Sequence, residues 1–382
     1  MRIFQLGKTW FSESAGGGSD RVFAALQKHM AETGAQVHGV VFGSIPVNGS
    51  SVSGMHSVAD ESSTLATRWR SIRRHVRNTL PSFDADVVTS HFALYALPVL
   101  DVIRHHPHVV HFHGPWARES AMEGESALKA AIKSRVEKTV YRRGDRFIVL
   151  SSAFRDILVE QYGVSPDRVH IVPGGVDVAA YDRTHLSRTE ARQRLGWPTD
   201  RPTLLSVRRL VKRVGLEGLV WAVDEIRRTV PDVLLMIAGK GPLRDDLEAM
   251  IADLDLQDHA RILGFVPEED LPLAYRAATL SVMPTVALEG FGLSAVESLA
   301  AGTPVMVTPV GGLPTIVERL TPNLIFESAD PGAMIPRLTA ALTGSLALPE
   351  GTKCRDYAAA HFDWSVIAEQ TQEVYRQAIQ DR

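Results

Sequence analysis

Short apolar runs alternate with helix-period stretches along most of the chain. Ile3–Leu6 reads as a short strand, followed by the glycine turn SAGGGSD and the helical pattern VFAALQKHM. A second strand, Gln36–Phe42, follows Gly34, and residues 43–63 carry Gly, Ser and Val with little period, which predicts a loop. Further strands are expected at Val87–Ser90, Val109–Phe112 and Arg146–Leu150, with helices between them. The alternation then starts again with strands at Thr203–Val207, Val233–Ala238, Ala260–Leu263, Leu280–Met283 and Pro304–Val307. Between them lie helical stretches such as Leu216–Thr229 and Leu243–Leu254. Strands alternating with helices predict parallel sheets covered on both faces. The fold class is therefore α/β, as two successive doubly wound, Rossmann-like domains. Turn residues cluster around 174–188, so residues 1–180 and 181–364 are the expected domains. A last helix, 365–382, is expected to pack back on the first.

Composition narrows the setting. A chain of 382 residues exceeds the usual size of a single core. A net charge of −3 gives no global argument for nucleic acid. The single cysteine, Cys354, excludes an intrachain disulfide and suits a reducing compartment. Without an h-region or an apolar run of about 18 residues, the expected location is cytoplasmic. Residues 68–79, RWRSIRRHVRNT, place Trp69, Ile72 and Val76 at helical spacing among five arginines. They read either as a charged surface helix or as a peripheral contact with an anionic membrane surface.

In doubly wound sheets ligands bind beyond the carboxyl ends of the strands, and the chemistry-bearing residues gather there. The turn with Gly16, Gly17 and Gly18 lies between a strand and a helix, where backbone N–H groups can meet an anion. Its spacing matches neither the dinucleotide fingerprint nor the Walker lysine motif. SVRRLVKRVG, residues 206–215, supplies Arg208, Arg209, Lys212 and Arg213, a cluster that suits a pyrophosphate or a solvated turn. Residues 287–304, ALEGFGLSAVESLAAGTP, contain two glutamates around a glycine turn and a small-residue helix. Ser294 and Glu297 have capping-box spacing, which explains Glu297 but not Glu289. Gly292 and Leu293, at the start of that helix, offer N–H groups to an anion. A carboxylate at Glu289 beside a phosphate makes sense only facing neutral hydroxyls, and Glu297 can likewise hold vicinal ribose hydroxyls. His111 and His113 share one face of a strand. Neither Cys nor a suitably spaced carboxylate completes a metal set with them or with His105, His106 and His108. His113 is thus a hydrogen-bonding or a packed histidine.

Together these segments resemble the retaining glycosyltransferases of family 4, which have the GT-B architecture. EGFGLSAVESLAAGTPV is similar to that family's E-x7-E signature, with Glu289 and Glu297 at the acidic positions. HIVPGGVD (170–177), IAGKGP (237–242), GFVPEEDL (264–271) and GGLPTIVE (311–318) follow in the family's order, and GGSDRV (17–22) and HFHGP (111–115) resemble its N-terminal turns. The resemblance implies a nucleoside-diphosphate sugar, expected to be a UDP-sugar such as UDP-glucose, bound by the C-terminal domain. The N-terminal domain would bind the acceptor, a polysaccharide, glycolipid or lipid-linked saccharide. Glu289 would hold the donor sugar and Glu297 the ribose. Gly17, Gly18, Gly290, Phe291, Gly292 and Leu293 would line the donor, the Val266 backbone would meet the base, and His113 would sit beside the sugar. The family's basic pair is usually R-L-x-x-x-K-G. Arg209 matches its arginine, Val214 replaces its lysine, and Arg213, with Lys212 behind it, is the candidate substitute.

The implied reaction is retaining hexosyl transfer in which cations stabilise the departing diphosphate in place of a divalent metal. No cofactor and no metal are expected, since no acidic D-x-D-type motif is placed for that role. The leaving phosphate would accept the acceptor's proton. A nucleotide-sugar epimerase and a non-catalytic binding subunit are the alternatives, the second favoured by the missing lysine.

Overall fold

The computed structural model describes residues 1–10, 17–45, 54–183 and 185–382. Ser14, Ala15 and Gly16 of the glycine turn, residues 46–53 of the expected loop and Thr184 lie outside the described residues. The chain forms two compact units, Met1–Gly174 with Trp364–Arg382, and Gly175–Asp363.

The first unit is built on seven strands: β1 (Arg2–Thr9), β2 (Gln36–Phe42), β3 (Met55–Ser57), β4 (Val87–Ser90), β5 (His108–Phe112), β6 (Arg146–Val149) and β7 (Val169–Ile171). They pair in parallel in the order β3-β2-β1-β4-β5-β6-β7. The second unit has β8 (Thr203–Val207), β9 (Leu234–Ala238), β10 (Ala260–Gly264), β11 (Leu280–Met283) and β12 (Val305–Val307), parallel in the order β10-β9-β8-β11-β12. Every residue of β4, β9, β11 and β12 is buried. That is why these segments are largely apolar and do not alternate with exposed polar positions, and their polar members Thr89, Ser90 and Ser281 are buried too. β3 and β7 were not expected. Each has three residues and lies at an edge, with exposed positions, so no apolar run betrays it.

The crossover between units falls at Gly174/Gly175, earlier than the expected 180/181. Residues 175–181 already pack in the second unit. The Val176 N–H donates to the Phe362 carbonyl at 2.8 Å, and the Tyr181 ring lies 6.1 Å from that of Tyr275. The last helix, Trp364–Gln380, buries Trp364, Ile367, Val374 and Tyr375 in the first unit. At about 1.5–3 kcal/mol for each fully buried large apolar side chain, this face holds the helix there.

The basic helix spans Leu65–Phe83. Ile72 and Val76 are fully buried in the core of their own unit, and Trp69 packs against that core. The membrane-contact reading therefore loses its apolar side. Arg73 is taken by Asp101 through two bonds of 2.6 Å, leaving Arg70, Arg74 and Arg77 exposed. No helix among the described residues is long and apolar enough to cross a membrane.

Candidate active site

The second sheet runs outward through β8, β9 and β10 and then returns to set β11 beside β8. This reversal opens a crevice at the carboxyl ends of β8 and β11, where doubly wound sheets bind ligands. Arg208 follows β8 directly, and Glu289 lies in the loop after β11. Arg208 Nη2 donates to Glu289 Oε2 and, at 3.1 Å, to Thr285 Oγ1. Both charged side chains are nearly enclosed, at 9% and 12% exposure. The expectation that Glu289 must face only neutral groups is thus corrected, because Arg208 neutralises it. A carboxylate so paired can lie near a phosphate while keeping lone pairs for hydroxyls.

The rest of the basic turn divides its work. Arg209 and Lys212 are exposed, while Val214, at the family's lysine position, is 1% exposed. The half-buried Arg213 donates from Nη1 to the Leu288 carbonyl at 2.8 Å, and its own carbonyl accepts from the Val286 N–H at 2.9 Å. Arg213 therefore fastens the loop that presents Glu289. In that loop Leu288 has φ 49°, a left-handed conformation costly for a residue with a Cβ.

Two glycines make the loop possible. Gly292 caps the helix Leu293–Ala300 at φ 108°, and a Cβ there would meet Leu313 Cδ2 at 2.6 Å. Gly311 has φ 59°, and a Cβ there would come within 1.9 Å of the Glu289 carbonyl oxygen, which accepts from the Gly312 N–H at 3.0 Å. The helix starts at Leu293 with Gly292 as its cap, so Ser294 and Glu297 do not form the expected capping box. Glu297 instead sits at the helix's fifth position, 4% exposed, and accepts from the Tyr275 hydroxyl at 2.9 Å. Burial above all, with Glu297 next, holds the Tyr275 phenol pKa well above its ordinary value, so it stays a donor. Phe291 is 2% exposed with its ring against Phe362, leaving only its backbone to face a ligand. Gly290 and Leu293 are half-buried on this loop. Val266 follows β10 beside the exposed Phe265, over whose ring the Lys240 ammonium stands at 4.6 Å.

In the first unit the helix after β1 begins at Gly18, with Gly17 as its cap, and both glycines are exposed. The Gly17 N–H is already taken by the buried Asp20 carboxylate at 3.2 Å, so that amide is not open to an outside anion. His113 follows β5 and meets His91, which follows β4, with His91 Nδ1 and His113 Nε2 3.0 Å apart. The His91 ring stacks on His111 at 4.1 Å, and His111 Nε2 lies 2.7 Å from the Tyr375 hydroxyl. Glu137, fully buried, accepts from the Trp116 N–H at 2.8 Å, the Ala117 N–H at 3.3 Å and the Tyr162 hydroxyl at 2.9 Å. It thereby fixes the turn just after His113.

Burial sets the charge states here. It lowers His113 to about 4 and holds the more enclosed His91 and His111 well below the ordinary imidazole value. It also pushes Glu137 up to about 7. The two effects have opposite signs. A histidine depressed in the folded state contributes stability present above about pH 6.5 that is lost as pH falls through its folded value. A carboxyl raised in the folded state destabilises at high pH, and that cost is relieved as pH falls below about 7. His91, His111 and His113, joined by His108 at about 4, outnumber the single carboxyl. The melting temperature is therefore expected to fall as pH drops from 6.5 to 4. Thermal melts across that range check it, and a flat or rising profile would contradict it.

His91 and Glu137 carry no reading as site residues in the sequence, and Arg208 is read there only as one cation of the basic turn, not as the partner of Glu289. Arg208 and His91 each follow a strand directly, so the rule that placed Glu289 and His113 also reaches them. Glu137 carries no such signal, since nothing local distinguishes it from the other charges of the helix Ala127–Tyr141.

Two family descriptions cover nearly the whole chain: Glycosyltransferase Family 4 over residues 16–180 and Glycosyl transferases group 1 over residues 187–361. A D-inositol 3-phosphate glycosyltransferase of Catenulispora acidiphila is 33% identical over 282 residues, covering 69% of this chain and 64% of that protein. An alpha-maltose-1-phosphate synthase of Mycolicibacterium smegmatis is 30% identical over 295 residues, covering 71% of this chain and 73% of that one. Among solved structures, the Anabaena protein HepE in complex with UDP-glucose superposes with a TM-score of 0.76 at 17% identity, covering 99% of this chain and 100% of that one.

Proposed function

This chain belongs to the family 4 glycosyltransferases, and from that premise we propose that it moves a hexose from a nucleoside-diphosphate sugar to an acceptor hydroxyl with retention at the anomeric carbon. The observation that carries the reading is the Arg208–Glu289 pair standing beside the Gly292-capped helix, beyond the ends of β8 and β11. First-turn N–H groups of that helix, with Arg209 and Lys212, suit a diphosphate. Glu289 offers its remaining lone pairs to the hexose, Glu297 and Tyr275 are assigned to the ribose, and the Val266 backbone to the base.

In this reaction the bond from the anomeric carbon to the diphosphate oxygen breaks, and a bond to the acceptor oxygen forms on the same face. The acceptor's proton passes to the departing diphosphate. Negative charge grows on the leaving group, where fixed N–H groups and cations act most strongly. UDP-glucose is our preferred donor, supported by its presence in a protein of the same fold. The acceptor class we favour is a phosphorylated sugar or polyol, as in the names of the two relatives.

Incubating the protein with labelled UDP-glucose or a GDP-sugar and phosphorylated acceptors tests the reading. Label transfer that persists in a chelator is expected. An isomerised donor would mean an epimerase, and binding without turnover a scaffold. Glu297→Gln is expected to weaken nucleoside-diphosphate binding about 10-fold or more, the size of one charge-assisted bond. Calorimetry with the free diphosphate measures it, and parental affinity would remove Glu297 from the ribose.

A further inference from the structure

His38 on β2, His56 on β3 and His75 on the helix Leu65–Phe83 bring their rings together near the edge of the first sheet. β3 pairs His56 with Val40, and Val40 shares a sheet face with His38, two residues before it. The covering helix adds His75, between the buried Ile72 and Val76. One ring nitrogen from each residue lies within 4.8 Å of the other two, and His38 Nε2 is 2.9 Å from His75 Nε2. The rings of His38 and His56 stack at 4.2 Å. His38 is buried, His75 half-buried and His56 exposed.

We propose that His38, His56 and His75 form a three-imidazole site for a divalent transition metal, zinc being the ion of reference, with a fourth position open to solvent beside His56. Imidazole nitrogens suit zinc, copper or nickel rather than magnesium or calcium. Zinc–nitrogen bonds of 2.0–2.1 Å in tetrahedral geometry put ligand nitrogens about 3.4 Å apart. Seating the ion thus widens the His38–His75 contact slightly and draws His56 inward, within the reach of side-chain rotation. Packing alone accounts for His38 stacking on Phe4, but it does not require three nitrogens to converge. The ion would tie the three-residue edge strand β3 to β2 and to the covering helix. β1 and β4 lie between β2 and β5 in the sheet order, so the site is separate from the His91–His111–His113 group.

The triad has no motif spacing, since its members come from two strands and a helix that only the fold brings together.

The test uses the full chain, stripped with a chelator and titrated with zinc alone by calorimetry near pH 7.5. One ion per chain is expected, together with a higher melting temperature and slower hydrogen exchange at residues 54–58. His56→Ala, at an exposed position, should keep the fold and lose at least about tenfold in zinc affinity, and His75→Gln should do the same. Absence of saturable binding in the parent, or parental affinity in folded His56→Ala, overturns the site.

Discussion

Replacing Arg209 with alanine is expected to lower kcat by about 10²-fold or more, the scale of a single electrostatic stabiliser of developing charge. Arg209 is exposed at the carboxyl end of β8, where a departing diphosphate would gain its charge. Arg213→Ala is expected to be comparably damaging, for two reasons. It removes the candidate for the family's missing lysine, and it releases the Leu288 carbonyl that holds the Glu289 loop. Steady-state kinetics at saturating donor separate the cations. A near-normal Arg213→Ala beside an inactive Lys212→Ala would assign the second positive charge to Lys212.

The second large effect belongs to the Arg208–Glu289 pair. Glu289→Gln keeps the side chain's shape but exchanges an acceptor-only carboxylate for an amide. The intact donor should therefore bind or react about 10- to 150-fold more weakly, at roughly 1.5–3 kcal/mol for a charge-assisted bond, while the free nucleoside diphosphate binds as before. Arg208→Ala leaves Glu289 nearly enclosed without its cation. It should cost about 1–3 kcal/mol of stability as well as activity. The double variant should be less impaired than the sum of the two, because the changes share one contact. Calorimetry with both ligands and thermal melts decide the matter. Parental donor affinity in Glu289→Gln, or strict additivity in the double variant, would remove this pair from donor binding.

Much of the architecture was legible because parallel strands buried on both faces must be largely apolar. Gln36–Phe42, Val87–Ser90, Thr203–Val207 and Leu280–Met283 fall where the pattern puts them. Glu289, His113 and the basic turn stand in loops that follow parallel strands, as the pattern predicts, and such loops are where doubly wound sheets bind ligands. The two family descriptions that cover the chain agree with the family whose motifs residues 170–318 resemble.

Tertiary structure alone decided who partners whom. Arg208 and Glu289 are 81 positions apart, and His111 and Tyr375 264 apart. No local period records such pairings, because they depend on strand order and not on sequence distance. The same limit hid β3 and β7, the use of the 68–79 helix's apolar stripe in its own core, and the meeting of His38, His56 and His75. Local spacing also misread Glu297 as a cap, because the left-handed turn at Gly292 starts the helix at Leu293 and sends that carboxylate to Tyr275. Sequence by itself determined the alternation, the two sheets and the loops beyond their strand ends, since those follow from which residues must leave water. The fold decided charge compensation and protonation, since those depend on what lies within a few ångströms once the chain is packed.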